Sequence, residues 1–398
     1  METAELLEIA GRGEDSKHQF KVEATNAISL AQEIVAFANS GGGRIFVGVA
    51  DDGSIHELDA VQLGTLNQLI ANASTNSVRP SINVTSDNVA VGSGVVVVVT
   101  VPDGLAKPYQ DNTGSFWVKN GSEKRKVTAR EEIRRMFQNA QLVHGDDVRV
   151  SGTSIADVDL EVFREFFKLR FEQDLDEQGN SLGQVLTNMR LLSGDSLTVA
   201  GLILFGKAPN QFLPVFHVKA VCYPGSDIHA SKYIDSADLH GRIQQQFEDA
   251  LGFLLRNIHW EQGNQGVNST GLPEIPRIVF EELVANALIH RDYFVSAPIR
   301  IFVFDDRIEI ISPGHLPNNL TVANIRNGNS NIRNPILTSY ATKVLPYRGL
   351  GNGILRALKE YPDIDFIDDR DGNLFRVVIK RRAQTDSPAL NRVGFELE

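Results

Sequence analysis

Cysteine is almost missing from this chain. Its single thiol, Cys222, sits in the apolar run 216–222, so neither an internal disulfide nor a cysteine-based zinc site can form. Such thiol usage fits a reducing cytoplasm. No apolar stretch reaches the roughly 18 residues of a membrane span, and the polar, acidic start lacks the hydrophobic segment of a signal peptide. A cytoplasmic protein with no membrane partner is therefore expected. Positive charge is in short supply as well: 39 Lys and Arg stand against 50 Asp and Glu, for a net charge of −11. That balance excludes a protein coated in basic surface, and any contact with nucleic acid must rest on a local patch. The nine histidines are scattered, with no two at a metal-binding spacing. What remains is ordinary globular material: 398 residues, 42% hydrophobic and 22% charged. That is long enough for two or three domains, each with its own core.

One stretch organises the rest. After Pro276 the apolar residues Ile278, Val279, Leu283, Ala287 and Leu288 recur at helical spacing, which predicts an amphipathic helix. Glu282, Asn286 and His290 are spaced four apart and share one face of it. Packing gives no reason to line up a carboxylate, a carboxamide and an imidazole beside the small Ala285 and Ala287. An oxygen-rich ligand such as magnesium with phosphates does; a solvated helix face is the other reading of the same row. Downstream, two short apolar runs between 298 and 311 form a hairpin that ends at Ser312-Pro313-Gly314, a turn exposing backbone. The stretch 318–334 is too polar for core and reads as a lid, and Pro335 opens a helix to about Val344. Gly349, Gly351 and Gly353 then precede a further helix to Tyr361 and two strands, 364–368 and 374–379. A Gly-x-Gly-x-Gly run at a helix start leaves N–H groups free for phosphate. Arg333 and Lys343, near the lid, are further candidates for phosphate contact, with surface charge or a helix cap as the alternative. His290-Arg291-Asp292 is expected to hold the helix against the sheet.

Nearer the N-terminus, a helical pattern over 27–39 stops at Gly41-Gly42-Gly43, and a buried strand 44–50 follows, closed by the turn Asp51-Asp52-Gly53. Three glycines before a strand, with no Gly-Lys-Ser/Thr, are not a P-loop. A second buried strand covers 95–101, a further strand covers 115–119, and Thr128 with Glu131 reads as a capping box opening a helix through Phe137. Between 104 and 135 eight Lys and Arg stand against four Asp and Glu. Lys107, Lys119, Lys124, Arg125 and Lys126, interleaved with Tyr109 and Trp117, suit phosphate contacts and base stacking. A solvated strand edge is the alternative. Residues 141–272 carry helical patterns at 158–171, 197–206 and 241–257 and a strand at 215–223, with no chemistry assigned to them.

Glu14-x-Ser16, Phe20-Lys21 and the run FANSGGGRIFVGVADDG from Phe37 to Gly53 together resemble the Schlafen-type AlbA_2 domain over roughly 5–140. The resemblance implies nucleic-acid binding. In animal Schlafens the fold also carries a metal-dependent RNA-cleaving site of three carboxylates, which carries over to Glu14, Gln19 and Asp51. Gln19 departs from the pattern, since a neutral amide binds a divalent ion more weakly and cannot act as a base. The run LTVAGLILFGKAPNQFLP from Leu197 to Pro214 resembles the connector of AlbA_2 proteins that continue into an ATPase-like domain. Over about 270–380 the order of helix, hairpin, turn, lid and glycine loop resembles the GHKL fold of gyrase, Hsp90 and histidine kinases. That likeness implies ATP with Mg2+, Glu282 orienting the attacking water and Asn286 on the magnesium. Gly349, Gly351 and Gly353 would lie on the phosphates, with Ser312 and Gly314 in the turn that faces the base. The family's adenine-reading Asp is replaced here by Ser312-Pro313-Gly314.

The expected architecture is α+β: an AlbA_2-like α/β domain at 1–140, an α-rich connector at 141–272, a GHKL-like α/β sandwich at 273–381 and a tail at 382–398. The expected function is an ATP- and nucleic-acid-binding regulatory or defence protein, homo-oligomeric, with slow Mg-dependent ATP hydrolysis. A metal-dependent ribonuclease and a non-catalytic DNA-binding transcriptional regulator are the alternatives.

Overall fold

The computed structural model describes residues 1–228, 232–261, 271–317, 320–347, 349 and 351–381. The expected tail, together with Asn318, Asn319, Arg348 and Leu350, lies outside them. The chain is α+β and divides into two compact units, Met1–Val143 and His144–Glu398.

In the first unit four strands pair in the order His18–Lys21, Gly43–Val47, Gly94–Val101, Thr85–Val91, the first pair parallel and the others antiparallel. Ile45, Phe46 and Val47, like Val96, Val97, Val98 and Val99, are almost fully covered, because both faces of these central strands are packed. The Ala27–Asn39 helix packs on one face, and the Thr3–Arg12 helix contributes Leu6 and Ala10 to a smaller cluster on the other. Asn26 opens the former, its Oδ1 accepting from Ile28 N at 2.8 Å. Gly41 and Gly42 close it with φ of 87° and 74°, a conformation glycine adopts without steric cost. An Ala60–Asn76 helix, burying Leu66, Ile70 and Ala73 at helical spacing, is opened by a reciprocal capping box of Asp59 and Gln62. One feature differs from expectation. The box expected at Thr128 and Glu131 does not form. Val127 is still paired to Phe116 in the preceding strand, and the Arg130–Asn139 helix begins after Ala129 with no side-chain cap.

The second unit is built on six strands in the order Asp235–Leu239, Val218–Cys222, Ile299–Val303, Arg307–Pro313, Leu374–Lys380, Ile364–Asp369. The join between Val218–Cys222 and Ile299–Val303 is parallel and the rest are antiparallel. One apolar core runs from Val150 to Ile379. The segments expected as a connector and an ATP-binding domain therefore share a single core. The parallel strand join, and the packing of the Ile243–Arg256 helix on the Arg277–His290 helix, tie them together. The Arg277–His290 helix, expected to be amphipathic, is enclosed on most of its surface, with nine of its 14 residues buried. Of the row it carries, Glu282 is buried and Asn286 and His290 are part-buried.

Candidate functional site

Glu282 is 2% exposed, and a bare carboxylate there would be costly. Arg356, on the Gly353–Glu360 helix, places Nη2 at 2.6 Å from Glu282 Oε1. Those two helices approach so closely that a Cβ added at Gly353 would overlap the Glu282 carboxylate and lie 3.4 Å from Asn286 Nδ2. The third glycine of the run is thus the residue whose missing side chain lets a helix N-terminus meet the Glu282–Asn286 row. Gly349 and Gly351, with φ of 67° and 72°, bring the loop round to it. A Cβ at Gly351 would stand 2.8 Å from Ser330 Oγ.

These groups line an open cavity. Glu282, Asn286, Ser312, Gly314, Arg333, Gly349, Gly351 and Gly353 all lie on its wall. Lys343 does not; the Pro335–Val344 helix buries Ile336, Leu337 and Ala341 and leaves Lys343 exposed on its other side. Leu283, Ile310, Phe366 and Val377 supply an apolar wall. Among the described residues the lining carries two arginines, Arg333 and Arg356, against one carboxylate, Glu282. Arg333 Nε and Arg356 Nε are buried there with no hydrogen-bond partner among the described residues, and so is the acceptor Asn352 Oδ1; the two donors suit an anionic ligand, the acceptor a ligand hydroxyl or amine.

Around this wall several polar groups are already committed. Ser312 Oγ donates to Ala287 O at 3.2 Å. Arg333 donates to the carbonyls of His290, at 3.2 Å, and of His315. Asn334 Nδ2 donates to Ile289 O and Arg291 O, both at 2.8 Å. Arg333 and Asn334 thus satisfy the carbonyls that the end of the Arg277–His290 helix leaves open, so Arg333 serves first as a fastener. His290 Nε2 lies 3.1 Å from Tyr347 Oη. Loss of water around the ring, with the Arg333 charge adding to it, lowers His290 to about 4, so it is neutral at pH 7. Burial first and the Glu282 charge second raise the Tyr347 phenol. The stretch expected as a polar lid holds a short helix, Val322–Arg326, whose Ile325 is buried, while Asn329, Ser330 and Asn331 line the cavity.

In the first unit two of the expected nuclease positions, Glu14 and Gln19, are bound to each other and to further protein donors. Glu14 Oε1 accepts from Phe20 N at 2.6 Å and from Gln19 Nε2, and Lys119 Nζ donates to Gln19 Oε1 at 2.7 Å. Protein donors therefore stand where a cation would, while Asp51 is an exposed turn residue. The basic run is also largely consumed internally. Tyr109 is 4% exposed, so it offers no stacking face. Trp117 Nε1 donates to Asp111 Oδ2 at 2.9 Å and its ring is half-buried. Lys107 pairs with Asp103 at 2.5 Å, Lys124 with the buried Glu33 at 3.1 Å and Arg125 with Glu132 at 2.5 Å. Loss of water lowers Lys119 below the usual lysine range. Lys126 is exposed.

Two family models match the chain. Residues 14–128 match the one described as "Schlafen, AlbA_2", and residues 296–379 the one described as "Putative ATP-dependent DNA helicase recG C-terminal". The chain thus joins an AlbA_2-like domain to a recG C-terminal-like domain. The Arg277–His290 helix lies just before the second match, so its row rests on geometry. No curated protein matches the chain. Among solved structures it is similar to the DIP2311 protein from Corynebacterium diphtheriae, with 21% identity, 92% of this chain and 76% of that chain covered, and a TM-score of 0.46. It is also similar to the N-terminal domain of a RecG-related protein from Nitrosomonas europaea, with 18% identity, 33% of this chain and 96% of that chain covered, and a TM-score of 0.23. At those scores the fold rests on the strands and helices above. Together the two family matches point to nucleic-acid-related, ATPase-like work. Among the described residues no helix is long and apolar enough to cross a membrane.

Proposed function

We propose that the second unit binds ATP with Mg2+ in this cavity and hydrolyses it slowly, and that the first unit binds nucleic acid. One observation carries the ATP half: the Glu282–Asn286 row meets the Gly353 helix start at the wall of a cavity lined by two arginines. Asn286 would hold the magnesium through its amide oxygen, and the loop of Gly349, Gly351 and Gly353 would take the phosphates on backbone N–H groups. Mg2+ bound there would neutralise phosphate charge and keep part of its water shell. Arg356 is placed to contact phosphate oxygen as well as Glu282. Among the described lining residues Glu282 is the carboxylate, so it is the group to orient the attacking water. The apolar wall accepts a flat base, and with Ser312 where an Asp is usual, discrimination for adenine is expected to be modest. The ribonuclease alternative has no support in the Glu14 contacts. For nucleic acid, the exposed Lys126, Arg130 and Arg135 are candidates that the basic run still offers.

Calorimetric titration of Mg-ATP into the wild type and Asn286→Ala tests the ATP half. We expect saturable binding by the wild type, at least about tenfold weaker in Asn286→Ala, as losses around a metal run. Without Mg2+ the two proteins should converge. No heat of binding by the wild type at millimolar Mg-ATP would overturn the reading.

A further inference from the structure

The antiparallel strands Val218–Cys222 and Asp235–Leu239 set Val218 opposite Leu239 and Lys219 opposite Asp238. One step past that ladder His217 faces His240, with 4.5 Å between ring centroids. Val218, Ala220 and Leu239 point into the core, so alternation puts His217, Asp238 and His240 together on the other face. One ligand atom from each lies within 4.8 Å of the others. The two histidines are far apart in sequence, and strand pairing alone joins them; a His read against a partner in the neighbouring strand was the signal available.

The backbone at both imidazoles is held from below. Gln246, 5% exposed, donates from Nε2 to Phe216 O and Gly241 O, both at 2.9 Å. A single buried carboxamide therefore ties the residue before His217 to the residue after His240. His217 O accepts from Ile299 N at 3.1 Å. His217 Nδ1 lies 3.0 Å from Pro214 O; a carbonyl only accepts, so Nδ1 carries the proton and Nε2 keeps its lone pair.

We propose that His217, Asp238 and His240 form a binding site for a first-row transition dication of the zinc class, with water completing its shell. Two imidazole nitrogens and one carboxylate oxygen suit Zn2+, Co2+ or Ni2+, whereas Mg2+ and Ca2+ take oxygen shells. Metal bonds of about 2.0 Å in tetrahedral array need ligand atoms roughly 3.3 Å apart. Asp238 and His240 are exposed and close that distance by side-chain rotation. Lys219 stands 3.3 Å from Asp238, an exposed pair that an ion displaces at little cost. The site is independent of the ATP cavity, since none of its residues lines that wall.

Full-length protein stripped with EDTA and dialysed is titrated with Zn2+ against a fluorescent chelator, and with Co2+ by visible absorption. We expect one equivalent bound, with cobalt d–d bands. His217→Ala and His240→Ala should each weaken Zn2+ at least about tenfold, while His56→Ala leaves affinity unchanged and Mg2+ does not compete. Far-UV circular dichroism checks each variant; should His217→Ala fail to fold, His240→Ala, at an exposed position, carries the test. Absence of one-equivalent uptake by the wild type overturns the proposal. So does wild-type affinity in His240→Ala.

Discussion

A carboxylate that water hardly reaches needs a cation or a proton, and Glu282 has Arg356 at 2.6 Å. Taking both ions out of water cancels much of their attraction, so the pair adds little net stability, yet removing one partner is expensive. Arg356→Ala is therefore expected to cost about 3 kcal/mol, the lower end for a buried pair, because the arginine side chain keeps 30% of its surface in water. Glu282→Gln with Arg356→Ala removes both charges, and most of that loss should return. Urea midpoints of the wild type, both single variants and the double variant measure this directly. A loss below about 0.5 kcal/mol in Arg356→Ala would mean that the carboxylate finds its compensation elsewhere. The same charge logic explains the cavity: the cation that makes a buried Glu282 tolerable also makes the wall attractive to phosphate.

At the scale of elements, Asp146 governs how the Pro335–Val344 helix begins. Its Oδ2 accepts from Ile336 N at 2.8 Å and Leu337 N at 3.0 Å. Those N–H groups favour the charged form, but burial outweighs them and raises its pKa to about 6. An unfolded Asp titrates near 3.9, so between about pH 4 and 6 the folded protein holds the extra proton. Its contribution to stability is thus present below pH 4 and is lost as pH rises through 6. Asp146→Asn should flatten that part of the stability curve, as read from urea midpoints between pH 4 and 7; an unchanged slope would exclude Asp146 as its source. Elements were legible where local chemistry decides them: apolar strands such as 95–101, the Gly41-Gly42 stop, the proline before Ile336. They were not where distant packing decides. The Arg277–His290 helix read as amphipathic because its second covering, by the Gly353–Glu360 helix and the sheet, comes from sequence far away. The Glu282–Asn286–Gly353 grouping was legible as residue types in order. Arg356 was not, because no local pattern marks a lone arginine as the partner of a carboxylate in another helix.

For the whole molecule, a net charge of −11 means that nucleic acid is repelled by most of the surface and must be held locally. The basic run offers less than its count suggests. Lys124 belongs to Glu33, Arg125 to Glu132 and Lys119 to Gln19, and reversing Lys124 would chiefly strip a buried Glu33 of the nearer of its two cations, leaving Lys21 at 3.8 Å. Lys126 and Arg130, both exposed, are the cleaner probes. Lys126→Glu with Arg130→Glu should weaken binding of a labelled single or double strand at every sequence tested. For every phosphate that is no longer neutralised, the slope of log K against log salt should fall by about 0.7–0.9. Both positions lie in the first unit and the cavity lies in the second, so Mg-ATP affinity measured without nucleic acid should stay at the wild-type value. A double reversal that leaves affinity and salt slope untouched would remove this surface from consideration. A variant that loses Mg-ATP and nucleic acid together would instead point to damage to the fold, and circular dichroism would reveal it.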